Sequence, residues 1–377
     1  MSRLRVPVRP PPGTRRTVGG ASVAGRGVAL RGTVWPGGDE EAYDGWVVVT
    51  PDGTVAAMGP VHAIRPPADL RVLGGPGAWI GPGVVDAHVH LAFGDAPQIL
   101  AGGVVGVRDL GAPPASAREW RTRVRPPAGW PFVAVAGPLF TAPGGYPSRS
   151  WGAGGFAVGV PTAEDAVPLV REVIARGVDL LKIVLEPAGG VPVPAPATVR
   201  AVVRAAHDAG LPVTAHALEA EMVARALDAG VDELCHVPVE RLDDALVERV
   251  AAAGIPVVST LQTFFSTGQG ADAARNASAL YRAGVTLVYG TDLGNAGTRT
   301  GVDPRELDRL ADTGLGRLGA LRAATEVAAR AYGVRGRSGR IAVGHSAALV
   351  VLTTDPLVEP WAWRSPTAVV ADGRALT

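Results

Sequence analysis

Lysine is almost absent from this sequence: of 36 basic residues only Lys182 is not an arginine, and it stands inside the apolar stretch VDLLKIVLEP, residues 178–187. A bias toward Ala, Gly, Val, Arg and Pro fits high-GC coding and accounts for part of that scarcity. Cysteine is just as rare. The single Cys235 excludes an intrachain disulfide and fits a reducing compartment. An excess of either charge is also missing, because 36 basic and 35 acidic residues leave a net +1. That balance offers no electrostatic footprint for a nucleic acid. Apolar runs of about 18 residues or more, the length of a membrane span, are absent too. The one stretch biased in charge is residues 1–24, which hold arginines and no acid. Within it TRRT is like a twin-arginine signal, but the following VGGASVAGRGV is glycine-rich and broken by Arg26, a poor apolar region for a leader. The segment is expected to be a flexible tail, and the protein to be cytoplasmic.

The chain does have an apolar fraction of 47% and a length of 377 residues, enough for a large barrel with a smaller companion. Residues 25–80 read as short strands and turns, with a hairpin signal at TPDGTV. From 81 to 335 apolar runs alternate with Ala/Arg/Glu-rich helical stretches. The expected strands are Val84–Leu91, Val104–Leu110, Phe132–Ala136, Leu180–Leu185, Pro212–Ala217, Glu233–Val237, Pro256–Leu261 and Thr286–Asp292. Several of the intervening helical patterns end in Gly, as helix C-termini do. Eight βα units in about 250 residues predict an α/β fold, a (β/α)8 TIM barrel, and near-continuous apolar strands fit burial on both faces. Strand patterns return from 336 in GRIAVGHSAALVVLTT. Residues 25–80 and 336–377 are therefore expected to form one small β-sandwich domain flanking the barrel.

The titratable residues gather where those strands end. The first strand ends in DAHVHL, and the period of two puts His88 and His90 on one face. Lys182 lies on the fourth strand, His216 ends the fifth, His236 the sixth and Asp292 the eighth. The C-terminal ends of the strands build the active site in this fold. A lone strand histidine is usually a core residue; six such side chains at matching strand ends make a constellation. His207 falls on a helical surface pattern, and His62 and His345 fall in the β domain, outside it.

GPGVVDAHVHL, the strand-four lysine, the two later histidines and YGTDLG together resemble the amidohydrolase superfamily. GVVGVRDLG, LGALRAATEVAARAYGV and GRIAVGHSAALVVLTTDPL are similar to its imidazolonepropionase and Xaa-Pro/Xaa-Arg dipeptidase-like branch. The likeness runs over roughly residues 28 to 360. It implies a TIM barrel with a flanking β-sandwich, hydrolysis of C–N bonds, and metal-site roles for His88, His90, Lys182, His216, His236 and Asp292. Two positions depart from the pattern. Ala347-Ala348-Leu349 stands where relatives have Ala-Asp-Leu, and Gly144-Gly145-Tyr146 where dipeptidase-like members have Gly-Gly-His.

The resemblance gives the solitary lysine a chemical rationale. Burial disfavours an ammonium, and a neutral amine can add CO2 to become a two-oxygen anion that binds one metal through each oxygen; arginine stays protonated and cannot. The expected cofactors are two divalent metals, Zn2+ by the ligand types, and a CO2-derived carbamate on Lys182. His88, His90 and Asp292 would hold one metal, and His216 and His236 the other. A shared water acidified toward ~7 would supply the attacking hydroxide, and Asp292 would move its proton to the leaving nitrogen. Two rival readings are a mononuclear deaminase or cyclic amidohydrolase, and a Schiff-base lyase using Lys182. The substrate is expected to be a small molecule or peptide-like compound, such as an N-acyl amino acid or a peptide-derived natural-product intermediate. Two long loops, LFTAPGGYPSRSWGAGGFAVG and QTFFSTGQG, would form the mouth, with Phe140, Tyr146, Arg149, Trp151, Phe264 and Phe265 as lining candidates. Arg108 reads as structural, paired with an acid near the barrel rim. A homo-oligomer is compatible with the sequence.

Overall fold

The structure, a computed structural model, describes residues 16–17, 27–121, 126–332 and 339–377. The basic segment 1–24 lies outside the described residues apart from Arg16–Thr17.

Strands Val28–Val34, Tyr43–Val49, Val55–Pro60 and the long Arg71–Pro82 come first. TPDGTV makes the expected hairpin. It needs Gly53 at φ +88, and a Cβ there would meet Gly373 N at 2.5 Å. Ala348–Leu352, Ala368–Ala371 and Arg374–Leu376 join from the other end of the chain, Ala348–Leu352 pairing antiparallel with Arg71–Pro82. All seven strands form one mixed sheet. The sheet curls until Val55 at its edge bonds the backbone of Gly344 and His345, enclosing Leu30, Val47, Ile80, Leu349, Val351 and Val370. Strands from both ends of the chain thus build the small β domain. Trp79, stacked on Trp35 and edge-on to Trp363, joins its core to that of the barrel.

The barrel strands are Val84–Val89, Val104–Asp109, Phe132–Val135, Leu181–Leu185, Val213–Ala217, Glu233–Leu234, Val257–Val258 and Leu287–Val288. Neighbours run parallel. Leu139–Thr141 continues the third strand and reaches the fourth through Phe140 and Ile183. The eighth strand closes on the first: Ala87 N donates to Tyr289 O at 3.1 Å, Asp292 N to His88 O at 2.8 Å and His90 N to Leu293 O at 2.8 Å. Helices fill the connections, Gly230 and Gly254 ending two of them in the left-handed conformation. No helix among the described residues is long and apolar enough to cross a membrane.

The last three strands are two residues each, shorter than their apolar runs predict. Extended backbone stops early because the chain bends to turn side chains inward. Thr260 and Asp292 adopt φ of 45° and 55°, uncommon for non-glycine residues and typical of functional sites. The two expected mouth loops also contain regular structure. Residues 139–159 hold the parallel pair Leu139–Thr141 and Ala157–Gly159. QTFFSTGQG forms most of the helix Leu261–Thr267, because buried Glu306 accepts from the first helical N–H groups, Leu261 at 3.0 Å and Gln262 at 2.6 Å.

Burial pushes the Glu306 carboxyl up to about 7, against the pull of Ser259 and of the Gln262 and Leu261 N–H groups. Its folded pKa lies above the unfolded value of 4.5, so the stability tied to its protonated form is complete below 4.5 and is lost as pH rises through about 7. Replacing it with Gln is expected to flatten the melting-temperature profile between about pH 5 and about pH 7 relative to wild type. Glu306→Ala, which leaves two buried N–H groups unmet, is expected to cost about 2–5 kcal/mol in denaturant unfolding.

Candidate active site

His88 and His90 are both buried at the end of the first barrel strand, 0% and 4% exposed. His88 Nδ1 lies 2.9 Å from the Cys235 carbonyl oxygen. A carbonyl can only accept, so Nδ1 carries the proton and the Nε2 lone pair faces inward. Three groups meet that inner face: Lys182 Nζ at 3.1 Å from His88 Nε2, Asp292 Oδ1 at 3.2 Å from it, and His90 Nε2 at 3.4 Å from the same Asp292 oxygen. Asp292 Oδ1 is buried and faces both imidazoles. Imidazole nitrogens and a buried carboxylate oxygen that converge in this way are a donor set that a cation satisfies. His88, His90 and Asp292 offer one ligand atom each, all within 4.8 Å of one another.

The other two histidines extend the cluster. His236 stands just past the sixth strand, with Nδ1 2.9 Å from the Thr260 hydroxyl. His216, in register with Val184 of the neighbouring strand, places Nε2 3.0 Å from Glu186 Oε2 and leaves Nδ1 for a ligand role. Ring centroids run from His90 to His88 at 5.3 Å, to His236 at 4.6 Å and to His216 at 4.7 Å. Burial and the nearby Lys182 pull His88 well below its usual pKa, and burial and His216 do the same for His236. These are neutral imidazoles, the form that donates to metals. Burial alone would raise Asp292; its contacts with His88 and His236 and a hydrogen bond from His90 outweigh it and hold the carboxylate well below its usual range. Cys235 also approaches His88 and His236. Burial raises its thiol to about 11 and it packs with Leu110, Ala136 and Leu180, so it serves as a small apolar residue.

The model of the amidohydrolase family matches residues 79–376, which span both the barrel and the second half of the small domain. The chain belongs to the amidohydrolase family. Among solved structures it is similar to a prolidase complexed with N-methylphosphonate-L-proline, at 23% identity and TM-score 0.76 over 93% of this chain and 99% of that one. A prolidase from Bifidobacterium longum is similar at 26% identity and TM-score 0.76, over 93% of this chain and 94% of that one. A deacetylase of Brucella anthropi is 44% identical over 48 residues, 13% of this chain and 11% of its own length.

Residues outside the expected set brace this amidohydrolase site. Asp86 accepts from Thr291 N at 3.0 Å, the Thr291 hydroxyl at 2.6 Å and His88 N at 3.1 Å, tying the first strand to the last. Burial pushes it up to about 7. Asp109 holds the turn after His90 through Leu91 N at 2.7 Å. Glu186, beside His216, also accepts from Ala188 N at 2.7 Å.

An aromatic wall faces the histidines. Trp151 lies 4.8 Å from the His90 ring and donates Nε1–H to the Tyr146 hydroxyl at 2.8 Å. Tyr146 is 5.8 Å from His216, and Phe264 is 5.6 Å from His236. Phe93 and Phe156, not foreseen, complete the wall against Trp151 at 6.0 and 5.9 Å. Arg149 is exposed, its guanidinium close to Gly144. Two other lining candidates sit elsewhere: Phe140 is fully buried in the core, and Phe265 lies under the Arg309 guanidinium at 3.7 Å. Arg108 pairs with buried Glu233, the first residue of the sixth barrel strand. His207 meets Asp232 on the surface at 2.8 Å.

Proposed function

We propose that this chain is a binuclear, metal-dependent hydrolase of an amide or peptide-like C–N bond, with its chemistry carried by the barrel at 81–335. The observation that carries the reading is the convergence of His88 Nε2, His90 Nε2 and Asp292 Oδ1 beside buried Lys182. His88, His90 and Asp292 would hold one divalent ion and His216 and His236 a second, with Lys182 between them as its carbamate. The mixed imidazole and carboxylate set suits Zn2+. When bound, the metals supply Lewis-acid polarisation of the scissile carbonyl and acidify water. Asp292 accepts the proton of the attacking water and passes it to the leaving nitrogen, which is expelled poorly as an anion. Cys235 O and Thr260 fix the His88 and His236 rings, and the aromatic wall excludes bulk water.

The wall also supports a substrate bulkier than a simple dipeptide, an N-acyl amino acid or peptide-derived compound with an aromatic or branched group. Tyr146, braced by Trp151, occupies the position where dipeptidase-like relatives carry His. A screen of the zinc-loaded enzyme against N-acyl amino acid and dipeptide libraries tests this. Turnover is expected to favour aromatic acyl substrates, and turnover confined to simple Xaa-Pro and Xaa-Arg dipeptides would count against it. Trp151→Ala is expected to raise KM for the best aromatic substrate by about tenfold with a smaller change in kcat.

A further inference from the structure

The four site histidines form an arc whose ends are His90 and His216. Two aromatic side chains join those ends. The Trp151 ring lies 4.8 Å from His90, and the Tyr146 ring lies 5.8 Å from His216. They meet in one hydrogen bond, from Trp151 Nε1–H to the Tyr146 hydroxyl at 2.8 Å. The phenol oxygen therefore stands between the two ends of the arc, and Asp292 and Glu186 are the carboxylates near enough to act on it. A short turn sets the tyrosine backbone. Gly145 N donates to the Ala142 carbonyl at 2.8 Å, and the Gly145 carbonyl accepts from Ser148 N at 2.9 Å and from the Ser148 hydroxyl at 2.6 Å. The turn is tightly enclosed, since a Cβ at Gly145 would stand 2.5 Å from both Pro192 O and Thr141 Oγ1.

We propose that the Tyr146 hydroxyl is a catalytic donor, giving its hydrogen bond to the scissile carbonyl oxygen as that oxygen gains negative charge. This rests on the hydrolytic reading above. A phenol has one hydrogen to give. Its oxygen accepts from Trp151, so the hydrogen turns elsewhere, and among the described residues no acceptor takes it. With an ordinary pKa near ~10 the group keeps that hydrogen at neutral pH. In amide hydrolysis the water oxygen bonds to the carbonyl carbon and the C=O pair moves onto oxygen. The C–N bond then breaks as that pair returns, and the leaving nitrogen takes a proton. The oxyanion exists only between those steps, so a donor fixed beforehand lowers the barrier without tightening substrate binding. Tyr146 gives no proton away in this sequence. Its oxygen is held in advance by Trp151 and by the Gly145 turn. Phenylalanine would keep the ring and lose the donor, whereas histidine would keep an N–H.

The test compares the full-length, zinc-loaded enzyme with Tyr146→Phe and Tyr146→His. Tyr146→Phe is expected to lower kcat on the best substrate of the library screen by about 10²-fold, with KM changed by less than about threefold. The second readout is calorimetric binding of N-phenylphosphonyl-L-alanine, whose tetrahedral phosphorus carries the anionic oxygen that the donor would meet. Tyr146→Phe is expected to weaken this phosphonamidate by at least ~10-fold, and Tyr146→His to recover part of both losses. Metal content and melting curves equal to wild type show that the site and fold are intact in each variant. Equal phosphonamidate affinity in wild type and Tyr146→Phe, with equal metal content, overturns the proposal and leaves the binuclear reading standing. A rise in KM with kcat unchanged overturns it too, because Tyr146 would then only bind substrate. Fewer than two metals in the wild type would instead sink the binuclear reading, and the phosphonamidate comparison would still judge Tyr146.

Discussion

Lys182→Ala is expected to lose at least ~10³-fold in kcat/KM, and Lys182→Arg to be no better. The side chain is 2% exposed, with Nζ 3.1 Å from His88 Nε2, so whatever stands at this position stands within the histidine and aspartate cluster. A primary amine can add CO2, losing a proton and gaining a carboxylate-like group on its nitrogen; a guanidinium cannot. Arginine would instead bring a permanent cation to a site built to gather anions and lone pairs. Added acetate or propionate is expected to restore part of the activity of the alanine variant, because a free carboxylate fits the space the carbamate leaves. It is expected to do nothing for the arginine variant. Rates measured with and without the added acid check this, and full activity of Lys182→Ala without it would remove the carbamate from the account.

Asp292→Asn is expected to lower kcat by about 10²–10⁴-fold, the range of a positioned proton carrier, with KM little changed. The substitution keeps volume and shape. Asn also tolerates the left-handed backbone seen at this position, φ 55°, so the fold should survive. It removes the carboxylate charge and, on the proposed mechanism, the basic oxygen that takes the proton. Steady-state kinetics alongside a melting curve separate this loss from a folding defect. An unchanged kcat would mean that the proton travels by another group.

The six ligand-type residues were legible in the sequence because strand periodicity makes facing predictable: two residues apart is one face, and a polar side chain ending an apolar run has few places to go. The first five barrel strands were legible for the same reason. The last three were overestimated because an apolar run does not reveal where the backbone bends, and Thr260 and Asp292 bend it at the site itself. The braces were hidden by distance along the chain. Asp86 finds Thr291 205 positions away, Glu306 finds Leu261 45 positions away, and Glu186 finds His216 30 positions away. Glu306 in PRELDRL looks like one more charge on an exposed helix face, and only the packing of that helix against Leu261–Thr267 makes it a buried anchor. Trp151 and Tyr146 were found as loop aromatics, whereas Phe93, next to the histidine motif, carried no periodic signal to single it out.

The most direct test of the central claim is the metal content of the chain purified with zinc and bicarbonate and then desalted. The account predicts two equivalents per chain, falling toward one when His216 and His236 are both replaced by Ala. A single equivalent, retained equally by wild type and the double variant, would contradict it.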